Sequence, residues 1–377
     1  MTDTTSTGWM PHTIQRGNGK GAYESANAQI QVIKEPSGEY TMPFGLAQMD
    51  NGEIALMCSS KVDGAERPFT AFSSDGGASW SDFSAVPDAA GRPMMLTWLG
   101  GGNLSFAANK RFFSSDYGRT WESIEVQGSL SGGMFAVEGN AYVDFDQNGQ
   151  PAKLWEIGWQ YEEGKSHPND DATCILRWSS DGGRTWDDEV KPPQWKFTDT
   201  YAGKPYLRGA SEGAIVRAAN GWLVAALRSD MPARYLHQPN DDSLEGTAIS
   251  ISQNDGETWS ELDILYDAGR HHANLLRMPD GDLVLTLIVR DDVRAQELVT
   301  HNRGCDALVS RDNGLTWHLD QRYILDAWPY YDPDWWYNGE SGHLYSICLD
   351  DGNILTVYGK YTEKSAVLIK WKPLSRH

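Results

Sequence analysis

The sequence is poor in cysteine and has no long apolar run, and both shortages narrow what the chain can be. Its four cysteines (Cys58, Cys174, Cys305 and Cys348) are scattered over 377 residues without CxxC spacing. They read as reduced, buried thiols, which leaves out a disulfide framework or a zinc site. No stretch approaches the ~20 apolar residues of a membrane helix. Met1–Asn18 lacks the charged-then-apolar design of a signal peptide, so the expectation is a cytoplasmic protein, or a secreted one whose signal has been removed. Blocks of like charge are missing too. The net charge of −20 is spread along the chain, so neither nucleic acid nor a membrane surface is an expected partner. No Gly-rich loop leads from a strand into a helix, so no nucleotide is implied and no cofactor is expected. His271 and His272 are adjacent, which in a regular strand puts them on opposite faces, and no metal site is expected.

What is present is a repeat. The pattern Ser-x-Asp-x-Gly-x-x-Trp occurs at Ser73–Trp80, Ser114–Trp121, Ser179–Trp186, Ser252–Trp259 and Ser310–Trp317, with Asn254 replacing Asp in the fourth copy. Each element has a physical reason. The Asp side chain accepts backbone N–H bonds in a tight turn, the Gly takes a backbone shape others avoid, and the Trp packs the turn onto a sheet. The copies stand 41 to 73 residues apart. A second repeat interleaves with them. Alternating segments end at Asn51-Gly52, Asn148-Gly149, Asn220-Gly221, Asp280-Gly281 and Asp351-Gly352, with Gly101-Gly102 a variant, and such turns mark hairpins. Six hairpins against five Ser-x-Asp turns imply a single all-β domain over residues 1–377, a six-bladed β-propeller of four-stranded antiparallel blades. Segments 28–34 and 366–372 are the expected closing strands, since closure hides sheet edges.

Propeller sites lie on the axis, so equivalent positions of the inner strands should ring one pocket. Nine residues before the turn glycine stand Glu212, His272 and His343; Arg92 lies ten before Gly102 and Glu138 eleven before Gly149. The second strands end in Glu156, Arg228 and Arg290. Arg228 follows Glu212 by 16 residues, one hairpin length, so the two can lie side by side, the Glu fixing the Arg while the Arg holds a carboxylate ligand bidentately.

The Ser-x-Asp-x-Gly-x-x-Trp turns resemble the Asp-boxes (BNR repeats) of the sialidase superfamily. That resemblance implies an exo-acting glycoside hydrolase with an arginine clamp for a carboxylate, a Tyr–Glu nucleophile pair and an acid/base Asp. Ser211-Glu212-Gly213-Ala214-Ile215-Val216 with Arg228 looks like the family's Glu and second arginine. Asp63 looks like the acid/base and Tyr345 stands near the nucleophile's place. The family's Arg-Ile-Pro is here Thr41-Met42-Pro43, so the first clamp arginine is absent, with Arg92 or Arg67 as substitutes. The expectation is a divergent sialidase-like hydrolase removing a terminal, acidic sugar from a glycan. Its catalytic set is Asp63, Glu212, His272, His343 and Tyr345, and its substrate-binding set Arg67, Arg92, Glu138, Arg228 and Arg290. Trp98, Trp159, Trp335 and Trp336 are candidates to stack on sugar faces, with the aromatic stretch Trp328–Tyr337 at the pocket rim. A lyase on a uronate, using His272, His343, Tyr345 and Arg228, is the second reading, and a non-catalytic carbohydrate-binding propeller the third.

Overall fold

The computed structural model describes residues 5–35, 39–161, 172–201, 203–230, 245–294, 297–300, 302–329, 343–360 and 363–374. Its strands follow the turn punctuation of the sequence. The strand Met42–Gln48 turns at Gly52 into Ile54–Val62, which continues through Ala65–Ser73 to Ser84–Ala85 as a four-stranded sheet. A second four-stranded sheet runs from Met94–Trp98 to Glu122–Ile124. The third and fourth sheets have five strands each. They begin at Ala136–Val137 and Phe197–Tyr201 and end at Asp188–Val190 and Asp263–Tyr266. The interior strands are largely apolar runs, such as Leu283–Val289, interrupted by Thr286 alone and buried along its whole length, because neighbouring sheets cover both of their faces.

The architecture is all-β and propeller-like, but it departs from six separate four-stranded blades: two sheets have five strands, and a larger sheet runs through the rest. Four sheets of four or five strands and a two-stranded hairpin, Asp292–Arg294 with Glu297–Thr300, stand alone, and the remaining strands join one ten-stranded sheet. The reason is a strand that pairs on both edges. Met10–Gly17 pairs with Tyr23–Lys34 on one side, and on the other Gln15 and Arg16 face Ile324 and Tyr323 of the strand Tyr323–Pro329. Tyr23–Lys34 in turn pairs with Ser365–Trp371, from Gln29 opposite Lys370 to Ile33 opposite Ala366. Leu344–Cys348, at one end of this sheet, packs against both Met42–Gln48 and Arg270–Arg277, so the leading strands form a closed ring. Apolar clusters fill the seams: Phe44, Phe106 and Leu355 in one, Trp155, Ile157 and Leu227 in another.

The five Ser-x-Asp turns share one hydrogen-bond pattern. In the first, Gly77 N–H donates to Ser73 Oγ (2.8 Å), and Asp75 accepts from Ser79 N–H (2.9 Å) and from the Ser79 hydroxyl (2.6 Å). The motif glycines Gly77, Gly118, Gly183, Gly256 and Gly314 all have φ between +81° and +90°, a region that a side chain would strain. In the fourth turn one oxygen, Asn254 Oδ1, accepts from both the amide (3.0 Å) and the hydroxyl (3.1 Å) of Thr258. Partial burial opposes ionisation of Asp75, Asp116, Asp181 and Asp312, but their hydroxyl and amide donors outweigh it and hold all four carboxyls below the usual aspartate value.

Glu156, which stands on a second strand as Arg228 and Arg290 do, lies in a seam between sheets. It is fully buried between Arg111 of the second sheet (2.9 Å) and Arg177 of its own (2.6 Å), and the Arg177 guanidinium is sandwiched by Phe135 and Trp186.

A depressed carboxyl contributes stability that is present above the unfolded-state value near 3.9 and lost as pH falls through the folded-state value. Asp116→Asn, which copies the fourth turn, is therefore expected to flatten the loss of stability below about pH 4, read as urea midpoints against pH; an unchanged acid slope counts against the assignment. Glu156→Ala strands two buried guanidinium groups and is expected to cost about 3–5 kcal/mol in equilibrium unfolding.

Candidate active site

The leading strands reach the axis through a recurring irregularity. Their register slips between Pro43 and Gly45, Met94 and Thr97, Ala210 and Gly213, and His271 and Asn274. Each slip is a β-bulge, which inserts a residue and re-aims the side chains around it. Glu212 and His272 sit inside two of these bulges, and His272 takes φ +55°. Glu138 follows the short strand Ala136–Val137. A Cβ on the next residue, Gly139, would lie 2.4 Å from the Gly213 carbonyl oxygen, so only glycine lets the Glu138 segment press against the one carrying Glu212.

The result is one buried cluster. His272 Nδ1 lies 3.1 Å from Glu138 Oε1 and 3.0 Å from Glu212 Oε2. His343 Nδ1 lies 2.5 Å from the same Glu138 oxygen. Arg228 donates to Glu212 Oε1 at 2.5 Å and is also paired with Glu245. Arg290 Nη2 stands 3.3 Å from His272 Nε2. All seven side chains are buried. Burial alone would lower His272, but the Glu212 and Glu138 carboxylates push it up to about 9. Burial would raise Glu138, yet the imidazoles of His343 and His272 hold it well below the usual carboxylate range. For Glu212, burial is outweighed chiefly by Arg228, and its carboxyl is lowered. For His343 burial prevails over Glu138 and the imidazole is lowered, which favours its neutral form.

Six of the residues singled out from the sequence thus meet: Glu138, Glu212, Arg228, His272, Arg290 and His343. Four others do not join the contact network. Asp63 is exposed, with φ +52°, at the two-residue turn Asp63-Gly64 between Val62 and Ala65, where a left-handed residue is required. Arg67, exposed on the next strand, points away from the face of its neighbour Glu66. Arg92 is bound to that Glu66 (3.3 Å), which also accepts from Ser59 and Tyr40. Tyr345 is buried, and burial followed by the Glu138 charge raises its hydroxyl well above the usual tyrosine value; it lines an axial cavity of about 250 Å³ on the turn side of the cluster.

Trp98 lines that same cavity beside Phe145, at the opposite end of its strand from the cluster, and Trp159 is packed in the core. Neither is placed to stack on a sugar at the cluster. Trp335 and Trp336, with most of the stretch Trp328–Tyr337, lie outside the described residues.

Two participants were missed from sequence. Glu245 directly precedes the third strand Gly246–Ser252 rather than a leading one, so counting from the turn glycines does not reach it. His271 was set aside because regular alternation separates it from His272. The bulge at His272 removes that alternation and leaves the two rings 4.6 Å apart. The reason for excluding a metal therefore does not hold. Glu138, His272 and His343, or Glu212, His271 and His272, bring ligand-type atoms within 4.8 Å of one another. The Arg290 guanidinium beside His272 puts a fixed positive charge against a second cation.

No family model matches the chain, and no curated protein does. Solved structures match in fold. A protein of unknown function from Dyadobacter fermentans superposes with a TM-score of 0.61 at 16% identity, covering 90% of this chain and 97% of that one. An α-L-arabinanase of Penicillium chrysogenum, complexed with arabinobiose, gives 0.54 at 13% identity over 97% and 98%. A mutant NanB sialidase from Streptococcus pneumoniae gives 0.53 at 11% identity over 89% and 68%. The chain has the sialidase-like propeller fold, in a divergent form.

His272 sets a pH signature of the cluster. Because its folded-state value lies above the unfolded one, its contribution to stability is complete below about pH 6.5 and disappears as pH rises through about 9. Thermal melts between about pH 6 and 10 should show this alkaline loss in the wild type. It should be absent in His272→Gln, and equal slopes in both would contradict the assignment.

Proposed function

We propose that the protein is a glycoside hydrolase that removes a terminal sugar, built as a single six-bladed propeller over residues 1–377. The six-blade count takes the ten-stranded sheet as two blades fused through Met10–Gly17. The observation that carries the reading is the axial meeting of Glu138 and Glu212 at one nitrogen of His272. Glycosidic hydrolysis needs a proton donor for the leaving oxygen and a carboxylate on the other side of the anomeric carbon. His272, raised to about 9, keeps its proton at neutral pH and suits the first role. Glu212, held ionised by Arg228, suits the second, as nucleophile or as base for water. Glu138 stabilises the charge between the two histidines. Asp63 stands at the end of its sheet where the leading strands begin, in reach of solvent, as a loop acid would. The activities named for two fold neighbours, an arabinanase and a sialidase, support a carbohydrate substrate.

A uronate lyase is the second reading. It is favoured by the neutral form of His343, which Glu138 orients as a base, and by the protonated hydroxyl of Tyr345.

The deciding experiment is a glycan and aryl-glycoside screen with wild type and Glu212→Gln. Hydrolytic release of a terminal sugar, falling roughly 10²–10⁴-fold in a variant that still folds, is the expected result. A fully active variant would place the chemistry elsewhere. An unsaturated, ultraviolet-absorbing product formed without water uptake would select the lyase.

A further inference from the structure

The axial cavity of about 250 Å³ on the turn side of the cluster is lined by five leading segments, and its chemistry differs from that of the cluster. Among the described residues no Asp, Glu, Lys, Arg or His lines it, and burial keeps its two tyrosines, Tyr142 and Tyr345, in the protonated form. The lining is therefore uncharged at neutral pH. Its amides and hydroxyls have capacity left over. Asn274 Oδ1 accepts from Ser346 N–H (3.2 Å), but its Nδ2 donor has no partner among the described residues. The Gln48 amide has none either, and no acceptor among them takes the proton of the buried Tyr345 hydroxyl. The solvent edge is aromatic. The rings of Trp98 and Phe145 lie 5.2 Å apart, Phe145 is 39% exposed, and a bond from Trp98 Nε1 to the Gly101 carbonyl (2.8 Å) fixes the indole.

Core packing does not call for an exposed aromatic pair at the edge of an uncharged, hydrogen-bonding cavity. A charged ligand does not suit such a wall, because a buried charge without a counter-ion costs several kcal/mol. A purely apolar ligand would leave the free amides and the Tyr345 hydroxyl desolvated. Neighbouring hydroxyls on one ring meet both demands. Each donates and accepts, as an amide does, and the C–H face of a sugar packs on an aromatic face. The volume, below the roughly 300–1,000 Å³ of sites for drug-sized molecules, suits a single ring. We propose that this cavity is a second binding site, separate from the cluster, for one neutral sugar unit, with Trp98 and Phe145 against the ring and Gln48, Asn274 and Tyr345 on its hydroxyls. Trp98, out of reach of the cluster, thus stacks on a sugar here. The site does not rest on the glycoside hydrolase reading, since it shares no residue with the roles given to Glu138, Glu212 and His272.

Saturation-transfer NMR and calorimetry test the site with L-arabinose, D-xylose and D-galactose, against D-galacturonate and D-glucuronate as charged counterparts. At least one neutral sugar is expected to bind the wild type and to shift the Trp98 indole N–H resonance, which Trp98→Phe identifies by its loss. Phe145→Ala or Gln48→Ala, both outside the cluster, is expected to weaken that binding roughly three- to tenfold. Glu212→Gln should leave it within about twofold. Binding that Glu212→Gln abolishes, or that both cavity variants leave intact, puts the sugar elsewhere and overturns the proposal. Tighter binding of an acidic counterpart overturns it as well, as does a bound sugar that leaves the Trp98 resonance unmoved. Failure of all three neutral sugars to bind has the same consequence. A protein that binds the sugar in this cavity and cleaves no glycoside upholds the site and removes the hydrolase.

Discussion

One imidazole nitrogen, His272 Nδ1, lies at hydrogen-bonding distance from two buried carboxylates, and much of the surrounding structure serves to make that tolerable. Two anions so close in a low-dielectric interior repel by several kcal/mol unless positive charge is built in around them. Arg228 lies against Glu212, Arg290 against the far side of His272, and His343 against Glu138. These groups come from several sheets, so the cluster ties the ring together at its centre while the apolar seams hold it at the flanks.

The same device appears off the axis with a different outcome. Glu156 between Arg111 and Arg177 is also a buried carboxylate bridged by cations from two sheets. There each carboxylate oxygen has a guanidinium partner, aromatic rings cover the Arg177 guanidinium, and the group is a clamp. At the axis carboxylates gather around imidazoles, whose protons can move in the neutral pH range. The contrast between a closed ion triad and a proton-bearing one separates scaffold from site more sharply than burial does, since both sets are equally buried.

The turn chemistry made the fold legible from residues alone: Ser73, Asp75 and Gly77 read the same way in sequence and in space, because those bonds are local. The ruler of turn glycines also reached Glu212, His272 and His343, because the same nine residues lead from each of them to its turn glycine although the strands themselves differ in length. It failed where geometry departs from a regular strand. The bulge at His272 joined it to His271 against the alternation rule, and Glu245 lay on a strand that the ruler does not measure. Arg92, one residue off the shared count, was captured by Glu66, a partner from another sheet that no local pattern announces. The fusion of ten strands was equally hidden, because a strand that pairs on both edges looks in sequence like one that pairs on a single edge.

That double-edged strand, Met10–Gly17, changes how the ring is closed. At the other seams the described residues meet mainly through side-chain packing, with isolated bonds to the backbone such as Thr41 N–H to the Lys364 carbonyl and Leu275 N–H to Asn140 Oδ1. At this seam backbone hydrogen bonds cross from one part of the ten-stranded sheet to the other, and they break one register step at a time or not at all. The ring therefore has a latch: the short register of Gln15 opposite Ile324 and Arg16 opposite Tyr323 has to break before the two parts of the large sheet can separate.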